Sequence, residues 1–182
     1  MRLTRQAHEA VAAVVGEGSL ALDATAGNGH DTCFLAEQVG ATGHVWALDI
    51  QRAAIDATHS RLVEADLEER VTLVCDSHAR VAEQVKRPGG QYLDAVMFNL
   101  GYLPGSDRAR VTQPESTICA LEQSMELLAP GGCLSLMVYR GHEGGEAEWR
   151  AIRSWLEGGG FSWRVPADPS GHNGPVLVLV TR

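Results

Sequence analysis

The segment SLALDATAGNGHDT, Ser19 to Thr32, decides the fold. Its first half reads as a short buried strand that closes on an aspartate, and Asp31–Val39 then shows helical spacing. Between them, Gly27 and Gly29 allow a tight turn and a close approach of backbone to a ligand. The helix that follows offers unpaired N–H groups and the positive end of its dipole to whatever lies above the turn. A strand that passes through glycines directly into a helix opens a βαβ unit, and such units build parallel sheets.

The rest of the chain repeats the alternation. Further apolar runs at 43–50, 70–76, 93–99, 132–139, 161–166 and 175–181 read as strands. Helical spacing recurs at Gln51–Leu67, His78–Val85, Pro114–Leu128 and Gly145–Leu156, and LAPGG (128–132) reads as a helix stop and a turn. The expectation is an α/β, Rossmann-like fold: a seven-stranded, mostly parallel sheet with helices on both faces. Only a loop separates the last two strands, so they are expected as an antiparallel edge hairpin. One domain over residues 1–182 is expected, with an amphipathic helix over 1–17.

Composition narrows the function. The 182 residues are 45% hydrophobic and 21% charged, ordinary for a soluble globular chain, and no apolar run reaches the ~20 residues a bilayer requires. The basic, apolar N-terminus is interrupted by Glu9 and lacks a small-residue cleavage site, so a cytoplasmic protein with no membrane partner is expected. Cys33, Cys75, Cys119 and Cys133 are scattered, which argues against structural zinc or disulfides and for reduced thiols; no metal is expected. A net charge of −8 counts against simple adhesion to nucleic acid, though Arg2, Arg5, Arg108, Arg110, Arg140, Arg150 and Arg153 leave room for a local basic patch.

In an open α/β sheet, ligands bind beyond the carboxyl ends of the strands. The first such end differs from a dehydrogenase fingerprint, because Thr32 stands where the third glycine of G-x-G-x-x-G belongs. Asp31, in the first helical turn, would also repel a diphosphate. An acidic turn suits a cationic ligand, and Asp23, Asn28 and Asp31 are placed toward the amino-acid end and sulfonium of S-adenosylmethionine. Asp49 ends the second strand and is expected on the ribose, with Ile50 and Gln51 beside the base. Asp76, Ser77 and His78 follow the third strand; Asp76 is expected to accept from the adenine amino group, although Asp-Ser is equally a plain helix cap.

The fourth strand ends in VMFNLGYLPG, Val96–Gly105, with more special residues than a turn needs. NLGY resembles the N-P-P-Y-like motif of amino-group methyltransferases, with Leu100 and Gly101 in place of the prolines. The Asn99 side-chain oxygen and a nearby carbonyl can accept an amine's hydrogens and hold its lone pair in line with the methyl donor, and such positioning lowers a barrier. Tyr102 is expected to stack on a planar acceptor, worth ~1–3 kcal/mol for a nucleobase. An alkyl amine is protonated at neutral pH, so a proton must be managed. Tyr139, His142 and Glu143 in YRGHEGGEAE stand at the correct end of the sheet, and His142 is the expected proton handler. No cysteine lies in NLGY or YRGH, which disfavours methylation at pyrimidine carbon.

Together, DATAGNGHDT, ALDIQ, DSH, MFNLGYLPG, Thr117 to Leu121 and YRGHEGGEAE make the chain resemble the YtqB-like family, whose characterised members are MnmM-type tRNA wobble-uridine methyltransferases. The resemblance runs from about Ala21 to Trp149. It implies a class I S-adenosylmethionine-dependent methyltransferase fold, methylation of the amine of 5-aminomethyl-(2-thio)uridine in the anticodon stem-loop of tRNA, and a homodimer. It implies cofactor contacts at Asn28, Asp31, Thr32, Asp49, Gln51, Ser77 and His78, with Asn99, Gly101 and Tyr102 between cofactor and substrate. Arg140 departs from the histidine expected there, and SGHNGPVLVLV matches the family's tail loosely. The competing readings are methylation of rRNA or of a small amine, a nicotinamide-dependent oxidoreductase, and a non-catalytic S-adenosylmethionine-binding module.

Overall fold

The computed structural model describes residues 3–101, 112–166 and 174–182. Tyr102, Pro104, Gly105, Arg108 and Arg110 lie outside the described residues, as do Arg2 and most of the SGHNG segment.

Helix α1 (Leu3–Ala12) buries Leu3, Ala7 and Val11, one residue per turn, against the sheet. It is shorter than the expected 1–17 helix; the chain leaves it before Gly16, ahead of the first strand. The alternation then follows: β1 (Leu20–Asp23), α2 (His30–Val39), β2 (His44–Leu48), α3 (Arg52–Glu64), β3 (Val71–Val74), α4 (Val81–Gln84) and β4 (Leu93–Leu100). The second half contains α5 (Pro114–Leu127), β5 (Leu128–Tyr139), α6 (Gly145–Gly158), β6 (Ser162–Arg164) and β7 (Pro175–Thr181).

Among the described residues the sheet has seven strands in the order β3-β2-β1-β4-β5-β7-β6. The first five are parallel; β7 runs antiparallel to both β5 and β6. The edge pair is therefore antiparallel as expected, but β7 lies inside, with β6 as the rim. Parity along each strand splits the core. Leu22, Leu48, Val96, Phe98, Leu134 and Leu136 pack under α4, α5 and α6, while Ala21, Val45, Ala95, Met97 and Met137 pack under α1, α2 and α3.

One local reading is corrected. LAPGG is not a break between helix and strand: Leu128 already pairs with Leu93, and the ladder resumes at Ala95 with Cys133. The four residues between loop out as an irregularity of one continuous strand.

The strand order fixes where a ligand can bind. From β1 the chain builds outward to β2 and β3, then returns to place β4 on the other side of β1. The connections above β1 and β4 consequently diverge and leave a crevice between them.

Candidate active site

A cavity of about 500 Å³ occupies that crevice, within the size range of small-molecule sites. Its floor is the turn after β1 and the end of β4, and its walls are the residues after β2 and β3, the start of α5, Tyr139, and Thr4 of α1.

The glycine turn is held from two sides. Asp49 Oδ2 accepts from the Gly27 N–H at 3.0 Å, while its Oδ1 accepts from the Gln51 N–H at 2.9 Å, so one carboxylate ties the turn to the end of β2. Burial raises the Asp49 pKa above the ordinary carboxylate value, and those two backbone donors oppose the shift. Gly29 sits in left-handed backbone (φ 79°), and a Cβ there would lie 2.9 Å from the Thr58 Cα. Glycine is required at that point because α3 passes directly beneath the turn.

Below the floor, Asp23 is fully buried and satisfied by Thr32 Oγ1 at 2.7 Å and the Thr25 N–H at 3.1 Å. Burial foremost, then the neighbouring Asp31 charge, pushes its pKa up. Its expected role of facing a ligand is corrected: Asp23 and Thr32 form a brace under the site and line none of the cavity. Asp76 is likewise outside the lining. Its Oδ2 is held by Arg80 at 2.9 Å and Gln84 at 2.7 Å, and its Oδ1 accepts from the Ser77 N–H at 2.8 Å. Gly29 stands behind the turn rather than in the lining.

The structure brings together Gly27, Asn28, Asp31, Asp49, Gln51, Ser77, His78, Asn99 and Gly101 around the cavity. His78 is buried, edge-on to Phe98, and its Nε2 has no hydrogen-bond partner. Burial lowers its pKa to about 4, so the ring is neutral at physiological pH. No lysine or arginine is among the described lining residues; the fixed charges are the carboxylates of Asp31 and Asp49.

Asn99 is fixed at both ends. Its backbone N–H donates to Thr25 Oγ1 at 2.7 Å, and its Nδ2 donates to Asp31 Oδ2 at 2.5 Å. Gly101 follows, with the Tyr139 Cβ only 3.2 Å from where a Cβ would stand. His142 lies behind Gly101 and outside the lining, its Nε2 3.6 Å from that same point. Its Nδ1 is 2.8 Å from the Glu143 carbonyl, which can only accept, so the hydrogen resides on Nδ1. Arg140, the departure noted above, donates to the Gly174 carbonyl at 2.9 Å. The stacking role expected of Tyr102 falls outside the described residues.

Sequence reading missed the contribution of α1 and the start of α5. Thr4, His30, Thr112, Gln113 and Ser116 also line the cavity, and His8 reaches Asp31 from outside it. The available signal was the apolar stripe Leu3, Ala7, Val11, which turns His8 toward the body of the protein.

A parallel sheet in this order, its last inserted strand antiparallel and its cavity above the β1/β4 switch, is the class I S-adenosylmethionine-dependent methyltransferase fold. The family model described as "Putative rRNA methylase" matches residues 45–158, and the chain belongs to that family. It is 37% identical over 165 residues to the Arabidopsis thaliana protein named tRNA (mnm(5)s(2)U34)-methyltransferase, chloroplastic, covering 86% of this chain and 60% of that one. The chain thus spans about 60% of the length of that relative. A crystal structure from Clostridium thermocellum carrying the family's description superposes with a TM-score of 0.92 at 36% identity, over 100% of this chain and 97% of the other. A Streptococcus mutans protein, described as a "putative methyltransferase" and solved with SAH (S-adenosylhomocysteine), gives 0.87 at 30% identity, over 100% and 98%.

Proposed function

We propose that the protein is an S-adenosylmethionine-dependent N-methyltransferase that methylates the amine of 5-aminomethyl-(2-thio)uridine at the wobble position of tRNA, giving the 5-methylaminomethyl product. The observation that carries the reading is the hydrogen bond from Asn99 Nδ2 to Asp31 in a cavity whose fixed charges are acidic. Because a carboxylate only accepts, Asp31 takes the amide's nitrogen and leaves Asn99 Oδ1 as the group offered to an acceptor amine.

The residues present fit S-adenosylmethionine. Asp31 and Asn28 suit its ammonium and sulfonium end, Asp49 its ribose hydroxyls, and Gln51, Ser77 and the unpartnered Nε2 of buried His78 its base. When bound, it supplies a methyl group on a sulfonium leaving group. The chain's own part is orientation and proton management. Asn99 Oδ1, with a backbone carbonyl near Leu100, accepts the amine hydrogens and aims the lone pair. The amine must arrive neutral or lose a proton on binding, and the methylated nitrogen sheds another. With its hydrogen on Nδ1, His142 turns Nε2 toward Gly101 as the acceptor side of the ring.

The 37% identity to the Arabidopsis tRNA enzyme supports the acceptor. An anticodon stem-loop as substrate and a homodimeric assembly belong to the same proposal and rest on the family resemblance; a cytoplasmic location belongs to it as well and rests on the sequence reading alone. The family's own description favours one second reading, methylation of rRNA with the same cofactor and chemistry. Transfer of labelled methyl to hypomodified bulk tRNA, followed by nucleoside mass spectrometry, tests the proposal. Label on 5-aminomethyluridine derivatives supports it; label on rRNA alone transfers the assignment to the second reading.

A further inference from the structure

We infer that His8, on the N-terminal helix, is a positioning residue that sets which atom Asn99 presents to the acceptor; the inference rests on the amine-methylation reading above. Asp31 divides its carboxylate between two elements. Oδ1 meets His8 Nε2 of α1 at 2.6 Å, and Oδ2 accepts from Asn99 Nδ2 of β4 at 2.5 Å. The pair is shielded, with side-chain exposures of 27% for His8 and 10% for Asp31. The imidazole is itself clamped, stacked on Phe34 with centroids 3.8 Å apart and planes within 1°. Since Asp31 can only accept, His8 must carry its hydrogen on Nε2, and the ring stack holds that N–H in the carboxylate plane's reach.

The consequence reaches the cavity. An asparagine amide is nearly symmetric in shape, and turned over it would present NH₂ in place of oxygen. An NH₂ group would face the amine's own hydrogens and could not orient the lone pair. Asp31 removes that degeneracy, but a carboxylate hinged on one bond can itself rotate away from Asn99. His8 supplies the second anchor. The three side chains, drawn from α1, α2 and β4, form one chain of donors and acceptors that ends on Asn99 Oδ1. Among the described residues, no lysine or arginine lines the cavity to draw the amide oxygen away from this arrangement.

The test compares His8→Phe, which keeps a ring over Phe34 but has no donor, with His8→Gln, which restores one. In methyl transfer from S-adenosylmethionine to hypomodified tRNA, kcat of His8→Phe is expected to fall on the order of 100-fold, as for other losses of positioning. The KM for tRNA is expected to stay at the wild-type value, the Kd for S-adenosylmethionine to change far less than kcat, and His8→Gln to recover most of the loss. An unchanged kcat in His8→Phe, a Kd for S-adenosylmethionine that worsens in step with kcat, or a His8→Gln variant no better than His8→Phe overturns the inference. The NMR signal of the Asn99 side-chain amide, read in the protein without substrate, separates this from the wobble-uridine reading. Should the wild type transfer no methyl to tRNA, that reading fails, and the amide signal alone decides His8. A shift in His8→Phe that His8→Gln reverses supports it, and a signal unmoved by either variant overturns it.

Discussion

Glu148 and Thr117 are hydrogen-bonded across the interface of α6 and α5 at 2.6 Å, both sealed from solvent. The other carboxylate oxygen of Glu148 accepts from Thr112 Oγ1 at 2.7 Å, and the Thr112 N–H donates to the Gly101 carbonyl at 3.2 Å. One buried carboxylate thus pins the chain where it re-enters α5, directly opposite the end of β4. Glu148→Ala leaves the buried Thr117 hydroxyl and the half-buried Thr112 hydroxyl without their acceptor, a loss of roughly 2–3 kcal/mol. Glu148→Gln keeps the shape and one acceptor and should cost distinctly less. Urea midpoints of the two variants check the order.

On the proposed mechanism, Asn99→Ala removes the oxygen offered to the acceptor while leaving the cavity's acidic surroundings in place. Methyl transfer is expected to fall on the order of 100-fold or more, with little change in S-adenosylmethionine affinity. Isothermal titration beside a single-turnover assay separates the two. Parallel loss of affinity and rate would make Asn99 a cofactor residue instead.

Gly29→Ala forces a side chain into left-handed backbone and onto the Thr58 Cα at 2.9 Å. Strain of this kind costs about 1–3 kcal/mol. Because Gly27 and Asn28 belong to the same turn, S-adenosylmethionine binding should weaken together with thermal stability, measurable by calorimetry with and without the cofactor.

His78 makes stability depend on pH. Its pKa is lowered to about 4 by burial, against an ordinary value of 6.5, so between those limits the unfolded chain binds a proton that the folded chain refuses. The contribution is absent above pH 6.5 and becomes a growing penalty as pH falls toward 4, about 2 kcal/mol at pH 5. Asp23, with its pKa raised, acts in the opposite sense, favouring the fold at lower pH and losing that contribution as pH rises through its folded value. The two partly cancel in the wild type. The difference between wild type and His78→Leu isolates the histidine: it should shift by about 2 kcal/mol in favour of the leucine variant between pH 7 and pH 5 in urea unfolding.

Much of the architecture was legible because each of the first four strands is an apolar run with a polar residue at or near its end, Asp23, Asp49, Asp76 or Asn99, on the side where the crevice lies. LAPGG was not legible, since two glycines and a proline signal a turn equally well inside a strand as before one; pairing of Leu128 with Leu93 settles it, and pairing is not local. The insertion of β7 between β5 and β6 was hidden for the same reason. In the site, an aspartate at or just past a strand end reads identically whether it lines the cavity, like Asp49, or meets a threonine below the floor, like Asp23. His8 lies 23 residues before Asp31, and only the docking of α1 brings them together.

The insertion of β7 also bears on synthesis. β5 presents one long edge to β4 and the other to a strand that appears only after α6 and β6 have been made. Until Pro175–Thr181 leaves the ribosome, the buried middle of the sheet has an open row of backbone donors and acceptors, flanked by Leu134, Leu136 and Val138. The nascent chain therefore passes through a sticky stage that ends when one short apolar strand slides in beside β5.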